Sequence, residues 1–167
     1  IYNFQEIRQE LTDYPFRSSC DTEVIIAAYL KWGIHCVDRF NGMFAFCLYD
    51  RQDDSVYLVR DRIGKKPLYY ELCDDNIYFA SELKPLMKRP GFSEPVQTRV
   101  LSRYLFQQYI NAPDTIFENV YKLNPGEILQ FRYGTVKKWK YWDISEVYHR
   151  MQQDPVTDYE KAKTELK

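Results

Sequence analysis

Apolar positions at helical spacing predict two helices near the start of the chain. The clearer segment covers residues 24–32, with Asp21 as its expected N-cap and Gly33 as its expected end. A shorter amphipathic stretch covers residues 3–11 and opens with Asn3 as its expected cap. Later helical patterns occupy residues 81–84, which Ser81 is expected to cap, 98–108 and 158–167.

Short apolar runs separated by polar turns predict antiparallel strands between these helices. Three hairpins are expected, from the strand pairs 43–49 with 56–59, 68–70 with 77–80, and 127–131 with 136–141. Residues 111–125 are predicted to be mostly loop. Because hairpin-length connections join adjacent strands, the pattern predicts an α+β fold with antiparallel sheets.

Composition and charge exclude several classes of protein. The 167 residues suffice for one domain, and 45% of them are hydrophobic, as in an ordinary globular protein. The formal net charge is −1 and the cations are scattered, so we expect no nucleic-acid partner. The longest apolar run, residues 24–30, is too short to cross a bilayer, and no signal peptide is visible. We therefore expect no membrane association.

The cysteines and histidines show no metal-site spacing. Cys20, Cys36, Cys47 and Cys73 occur singly, and the two histidines, His35 and His149, stand far apart. Because zinc sites have closely paired ligands, we expect no metal, and both histidines are interpreted as solvated or structural. Unpaired cysteines are typical of a reducing compartment, where they act as small buried hydrophobes, which favours a cytoplasmic location.

A series of motifs in a fixed order is the most specific signal in the sequence. They are Ile1–Phe4 with Ile7–Arg8 and Glu10–Leu11, Cys20–Val24, Asn41–Phe46, Arg60–Tyr70 and Ala80–Lys84, with weaker matches at Leu123–Gly126 and Tyr141–Asp143. In this order the chain resembles the glutaminase domain of class II glutamine amidotransferases, and is most similar to the asparagine synthetase branch. The resemblance implies a four-layer αββα sandwich of antiparallel sheets, as in N-terminal-nucleophile hydrolases, incomplete at its N-terminus.

The resemblance also implies the chemistry and the domain limits. In that family the thiolate of an N-terminal cysteine attacks the glutamine amide, and an Asn-Gly pair stabilises the developing negative charge. These residues precede the position of Ile1, so we expect no catalytic residue in this chain and no glutamine hydrolysis by it alone. Residues 1–143 correspond to the glutaminase domain, and residues 144–167 to a linker and the start of an ATP-dependent synthetase domain.

The same resemblance implies partners and cofactors. Glutamine is the expected substrate, and the synthetase domain of the same parent chain is the expected protein partner, with a homodimer left open. No cofactor is expected in residues 1–167, whereas ATP and Mg²⁺ are expected in the synthetase domain.

Asp21 is the main candidate site residue. By resemblance its carboxylate binds the α-ammonium group of glutamine, whereas the pattern alone favours a helix N-cap, and one residue can do both. The neighbouring Cys20 stands where the family usually has serine. Because Asp21 opposes thiolate formation and no base is evident, we expect an inert thiol at Cys20.

Met43 and two other segments have weaker functional interpretations. By resemblance Met43 lies near the mouth of an ammonia tunnel, and the alternative is gap-filling in a strand core. By composition residues 60–67 form a charged turn, and by resemblance they pack toward the glutamine pocket and the synthetase domain. The pair Ser81-Glu82 is interpreted first as a helix cap with a first-turn acid, and second as part of a domain interface.

Three functions remain open on the sequence. The first is the glutaminase half of an asparagine synthetase, which supplies ammonia for ATP-dependent amidation of aspartate. The second is the same half of an enzyme that amidates another carboxylate, such as a sugar acid in polysaccharide synthesis. The third is a non-catalytic scaffold or interaction module that retains the fold.

Overall fold

The computed structural model of the protein describes residues 1–153. Helices α1 (Phe4–Glu10) and α2 (Asp21–Trp32) come first, followed by a 3₁₀ helix at Gly33–Arg39. The remaining elements are β1 (Ala45–Asp50), β2 (Ser55–Arg60), β3 (Tyr69–Cys73), β4 (Asn76–Ala80), α3 (Leu83–Met87), α4 (Thr98–Gln107), β5 (Val120–Lys122), β6 (Glu127–Arg132), β7 (Thr135–Lys140) and α5 (Ile144–Gln153). The helix predicted at 158–167 lies outside the described residues.

The strands form two antiparallel sheets. The larger sheet, sheet A, has the order β1-β2-β6-β7, and the smaller sheet, sheet B, has the order β4-β3-β5. All three predicted hairpins are confirmed, as the pairs β1–β2, β3–β4 and β6–β7. The turn at Asp74 and Asp75 has both residues at positive φ, which matches the right-handed twist of the β3–β4 hairpin.

Alternating side chains of sheet A separate two apolar cores. Tyr57, Val59 and Ile128 pack against the first two helices, whereas Leu58 and Leu129 point to the opposite face. That opposite face meets Leu68, Tyr70 and Leu123, so the second core lies between the sheets. Helix α3 packs against β3 and β4 on the far side of sheet B. The layers are therefore helix, sheet, sheet and helix, which confirms the predicted α+β sandwich.

A buried ion pair holds the end of α3 on sheet B. Glu71 is fully buried on β3, and both of its carboxylate oxygens accept hydrogen bonds from the Arg89 guanidinium group, one of them at 3.1 Å from Nε. The same guanidinium group lies 4.5 Å from the ring centroid of Tyr78 on β4. A buried carboxylate requires such a partner, because transfer of an unpaired charge from water is very unfavourable.

Several predicted helix caps are wrong. Asp21 is the first residue of α2, Cys20 is at the N-cap position, and no side chain caps this end. Asn3 is at the N-cap position of α1, but its side chain instead bonds the backbone of Arg39 and Asn41. At α3 the N-cap is Glu82 rather than Ser81. The predicted end of α2 is confirmed, because Gly33 has φ of +62° and its N–H donates to the Tyr29 carbonyl.

Strand β5 was missed in the sequence. It has only three residues, and these pair with β3 from the opposite side to β4. Three residues are too few to show an alternating pattern, and the pairing partner lies about 50 residues away in the chain. The predicted loop over residues 111–125 therefore contains the third strand of sheet B.

Candidate functional site

The carboxylate of Asp21 contacts the first residue of the chain. Its Oδ2 lies 2.7 Å from the α-ammonium nitrogen of Ile1, and the Asp21 side chain remains 45% exposed. The hydrogen bond from this ammonium group holds the pKa of Asp21 below its usual value. Asp21 is thus an accessible carboxylate that lies beside the backbone nitrogen of Ile1.

The backbone around Asn41 and Gly42 positions residues 1 and 2 beside Asp21. The Tyr2 N–H donates to the Asn41 carbonyl at 2.7 Å. A Cβ at Gly42 would come within 3.0 Å of the Ile1 Cα and the Tyr2 nitrogen, and Gly42 has φ of +150°. Only glycine permits this close approach, so the Asn-Gly step of the 41–46 motif determines where residues 1 and 2 lie.

Asp21 lines a cavity of about 460 Å³ between α2, β1 and the loop before β3. The cavity is also lined by Ile1, Thr22, Ile25, Met43, Phe44, Ala45, Phe46, Lys66, Pro67 and Ser81. One wall is apolar and carries the phenylalanines, and the polar groups include one carboxylate and one lysine. This volume falls in the range of small-molecule sites.

The structure brings the two candidate residues Asp21 and Met43 to the same cavity. Met43 precedes β1 and is 42% exposed, so it does not fill a gap in a strand core. Its role beside an ammonia tunnel stays a prediction. The role of Asp21 toward glutamine also stays a prediction, although its position at a cavity wall is compatible with ligand binding.

Side-chain hydrogen bonds fix the conformation of the loop at residues 60–67, which is therefore not a solvated charged turn. Asp61 is fully buried, and its two carboxylate oxygens accept the backbone N–H groups of Lys65 and Lys66, each at 2.9 Å. Arg60 binds the other side of the loop and donates to the carbonyls of Lys66, Gly64 and Leu123. These contacts hold Lys66 and Pro67 in the cavity wall, so the interpretation of this segment from composition alone is wrong.

Ser81 and Thr22 were not assigned to the cavity from the sequence, and Lys66 was included only as part of the segment 60–67 that was expected to pack toward the glutamine pocket. Ser81 was expected to cap α3, but it lies at the cavity wall between β4 and α3. Lys66 is about 45 residues from Asp21 in the chain, and Ser81 is about 60 residues away. No local pattern reports contacts at such separations, and only the motif series, which includes residues 60–70 and 80–84, indicated that these segments belong together.

The four cysteines were expected to act as small buried hydrophobes, but only one of them is buried. Cys36 is buried, whereas Cys20 and Cys47 are exposed. The Glu23 backbone N–H, followed by the Thr22 hydroxyl, lowers the pKa of Cys20. The expectation that Cys20 is inert in catalysis stays a prediction. Loss of solvation raises the pKa of Cys36 to about 12 and that of Cys47 to about 11. None of the four cysteines lines the cavity at Asp21.

These differences predict selective alkylation at Cys20. Because the thiolate is the nucleophile, iodoacetamide at pH 7.5 should modify Cys20 first and Cys36 last. Raising the pH from 7.5 to 9 should increase the rate at Cys47 by a larger factor than the rate at Cys20, since Cys47 has the higher pKa. Peptide mass spectrometry over a time course measures both rates. Faster modification of Cys47 than of Cys20 at pH 7.5 would contradict the assigned order.

The two histidines do not form a site. Both are exposed, and His35 Nδ1 lies 3.4 Å from Asp38 Oδ2, which agrees with the structural interpretation. Among residues 1–153 no group of three or more His, Cys, Asp or Glu side chains is arranged to hold a metal ion. In the same residues no helix has both the length and the apolar character needed to span a membrane.

A solved structure of known function has a similar fold. Glutamine phosphoribosylpyrophosphate amidotransferase from Bacillus subtilis, solved with ADP and GMP, superposes with a TM-score of 0.59 at 18% identity. The match covers 84% of this chain and 27% of that one. At this level of identity the similarity establishes the fold alone.

The sequence comparisons then give the family. Residues 1–142 match the family model described as glutamine amidotransferase domain, and the chain belongs to this family. Among curated relatives, asparagine synthetase [glutamine-hydrolyzing] 3 of Bacillus subtilis is 31% identical over 89% of this chain, and asparagine synthetase [glutamine-hydrolyzing] 1 of the same organism is 37% identical over 79%. A putative asparagine synthetase [glutamine-hydrolyzing] 2 of Methanocaldococcus jannaschii is 33% identical over 87%. The chain spans only 21–29% of the length of these relatives.

Proposed function

We propose that this chain is the glutaminase part of a longer, glutamine-dependent asparagine synthetase. In this proposal the cavity at Asp21 binds glutamine, whose amide nitrogen leaves as ammonia. The ammonia then amidates aspartate in a synthetase domain that uses ATP and Mg²⁺. The family match and the relatives named as glutamine-hydrolysing synthetases support this assignment.

The observation that carries the proposal is the accessible carboxylate of Asp21, which is 45% exposed and lies in the wall of a cavity of about 460 Å³. A fixed carboxylate is a suitable partner for the α-ammonium group of an amino-acid substrate, which carries a positive charge and three donors. The hydroxyls of Thr22 and Ser81 and the apolar wall complete a pocket of suitable size for one amino acid.

The proposed reaction follows the chemistry of the family that the sequence resembles. A cysteine thiolate attacks the carboxamide carbon of glutamine, ammonia leaves, and a thioester forms. Water then attacks the thioester, which releases glutamate and regenerates the thiol. In this scheme Asp21 holds the α-ammonium group in place, and the wall formed by Lys66 and Pro67 limits the position of the substrate.

The domain limits support a longer protein. The family match ends at residue 142, and α5 (Ile144–Gln153) follows it without burying a single residue. An amphipathic helix with three exposed apolar residues, Ile144, Tyr148 and Met151, is suited to packing on a further domain. We therefore keep residues 144–167 as the proposed connection to the synthetase domain.

An isotope-transfer experiment on the full-length protein tests the function. Incubation with glutamine labelled with ¹⁵N in its amide, aspartate, ATP and Mg²⁺ should give asparagine with the label in its side-chain amide, together with one glutamate for each asparagine. Mass spectrometry of the products measures both. Label in an amidated sugar acid instead of asparagine would show that a sugar acid, and not aspartate, is the acceptor. If no glutamate formed under any condition, the result would favour the non-catalytic module.

A further inference from the structure

A lysine without an acidic partner lies in the wall of the cavity at Asp21. Lys66 and Asp21 are the two charged side chains in the lining of this cavity. Within residues 1–153 none of the ion pairs includes Lys66. The cavity wall therefore carries a positive charge that no carboxylate of the described residues neutralises by contact.

The backbone of Lys66 is held in this position from both sides. Its N–H donates to Oδ2 of the fully buried Asp61 at 2.9 Å, and its carbonyl accepts a hydrogen bond from Arg60 Nε at 2.9 Å. The ring of Pro67, which also lines the cavity, restricts the backbone conformation of Lys66 further. The loop thus fixes the base of the lysine side chain beside the cavity, whereas the ammonium group keeps its freedom to move.

The rest of the lining makes a charge in this cavity effective. Apart from Asp21, the side chains contributed by α2, by β1 and the segment before it, and by the residues between β4 and α3 are uncharged. Phe44 and Phe46 form part of the wall, and a charge is screened less beside apolar groups than in water. Lys66 is therefore the cation that offsets the negative charge of Asp21 in this lining.

The proposed reaction releases a product whose reactivity depends on its protonation. Ammonia has a lone pair that attacks an activated carboxylate, whereas ammonium has none. Ammonium predominates in water at neutral pH, so ammonia that takes up a proton before its transfer is lost to the amidation step. A nearby carboxylate favours the protonated form, and a nearby cation disfavours it because like charges repel.

We propose that Lys66 keeps the ammonia released in this cavity unprotonated, and thereby couples glutamine hydrolysis to amidation. This inference rests on the proposed function. Lys66 acts through its charge and forms no bond with the reacting atoms. Without it the charged side chains of the described lining would be reduced to the Asp21 carboxylate, which favours ammonium over ammonia.

The stoichiometry of the full-length protein tests this role. Lys66→Met removes the charge but keeps the length and the apolar stem of the side chain. With glutamine, aspartate, ATP and Mg²⁺, the number of glutamate molecules formed for each asparagine should rise about threefold or more, because one pKa unit changes the ratio of ammonia to ammonium about tenfold. The KM for glutamine and synthesis from free ammonia should be unchanged.

Two variants serve as controls for charge and for position. Lys66→Arg keeps the positive charge and should restore the coupling of the unaltered protein. Lys65→Met removes the charge of the preceding residue, which is exposed and lies outside the cavity lining, and should also leave the coupling unchanged.

The pH dependence of the coupling gives a readout that altered packing does not move. Lower pH raises the fraction of ammonium, so the ratio of glutamate to asparagine should begin to rise at a pH about one unit higher in Lys66→Met than in the unaltered protein. The same ratio measured over a series of buffers gives both curves, and coincident curves would contradict the proposal.

The remaining outcomes separate this inference from the proposed function. A raised KM for glutamine with unchanged coupling in Lys66→Met would overturn the inference, and would show instead that Lys66 binds the carboxylate of the substrate. Equal uncoupling by Lys66→Arg or Lys65→Met would also overturn it, since the charge at residue 66 would then not be the cause. If the unaltered full-length protein forms no glutamate from glutamine, the proposed function itself is wrong, and so is this inference.

Discussion

Asp21→Asn in the full-length protein should raise the KM for glutamine about ten- to thirty-fold. The substitution removes the negative charge but keeps the size of the side chain, so a cationic ammonium group loses its charged partner. A hydrogen bond to a charged group contributes about 1.5–3 kcal/mol. Because Asp21 is 45% exposed, we expect the lower part of that range, about 1.5–2 kcal/mol, which corresponds to the stated change in KM.

Asparagine synthesis driven by free ammonia separates substrate binding from folding. That route does not use the glutamine cavity, so Asp21→Asn should leave its kcat and KM unchanged. The loss of a first-turn acid weakens α2 only slightly, by about 0.3–1 kcal/mol. Asp38→Asn is a suitable control, because Asp38 is similarly exposed and lies in the adjacent 3₁₀ helix. Equal loss of glutamine- and ammonia-driven synthesis in the Asp21 variant would contradict a role in binding glutamine.

The regular part of the fold was predictable from local patterns. The hairpins appear in the sequence because each joins two apolar runs through a short polar turn, such as Asp74–Asn76. Gly33 was identifiable as the end of α2 because glycine readily adopts the positive φ that is found there. The insertion of β6 beside β2 was not predictable, because about 70 residues separate these strands and no turn connects them.

The candidate site was predictable only in part. Asp21 stays a candidate that lies at the cavity wall. Its predicted role as a helix cap was wrong, because sequence patterns do not resolve which of two adjacent residues is at the N-cap position. The backbone of Ile1 and Tyr2, which lies beside Asp21, belongs to a separate segment held by the close approach at Gly42. Such contacts depend on tertiary packing, which helical and strand periodicities do not report.

The buried carboxylate of Asp61 illustrates the same limit. By composition the segment around it is a solvated charged turn, yet Asp61 is fully buried and satisfies two backbone N–H groups. Its own carbonyl also accepts the N–H groups of Gly64 and Gly126, which ties the loop to the turn before β6. A charge pattern alone does not show that a carboxylate points inward to bind its own loop.

Asp61→Ala should lower the free energy of unfolding by about 2–4 kcal/mol. The substitution leaves the N–H groups of Lys65 and Lys66 without their acceptor, and each unsatisfied donor costs about 1–3 kcal/mol. Asp61→Asn should have an intermediate effect, since an amide keeps one acceptor oxygen but presents a donor to the second N–H group. Urea unfolding followed by tryptophan fluorescence measures the change through the denaturation midpoint.

The control for this series is Asp13→Ala, which removes an exposed aspartate and should change the free energy of unfolding by less than about 0.5 kcal/mol. If Asp61 holds the cavity wall as well as the fold, the full-length Asp61→Asn variant should also show a raised KM for glutamine, whereas its ammonia-driven synthesis should be unchanged. The reason is that Lys66 and Pro67 lose one of the contacts that hold them in the cavity wall with Asp21. A stability of Asp61→Ala equal to that of Asp13→Ala would show that the loop holds its shape without the buried carboxylate. Arg60, which binds three carbonyls of the same region, would then be the residue that maintains the cavity wall.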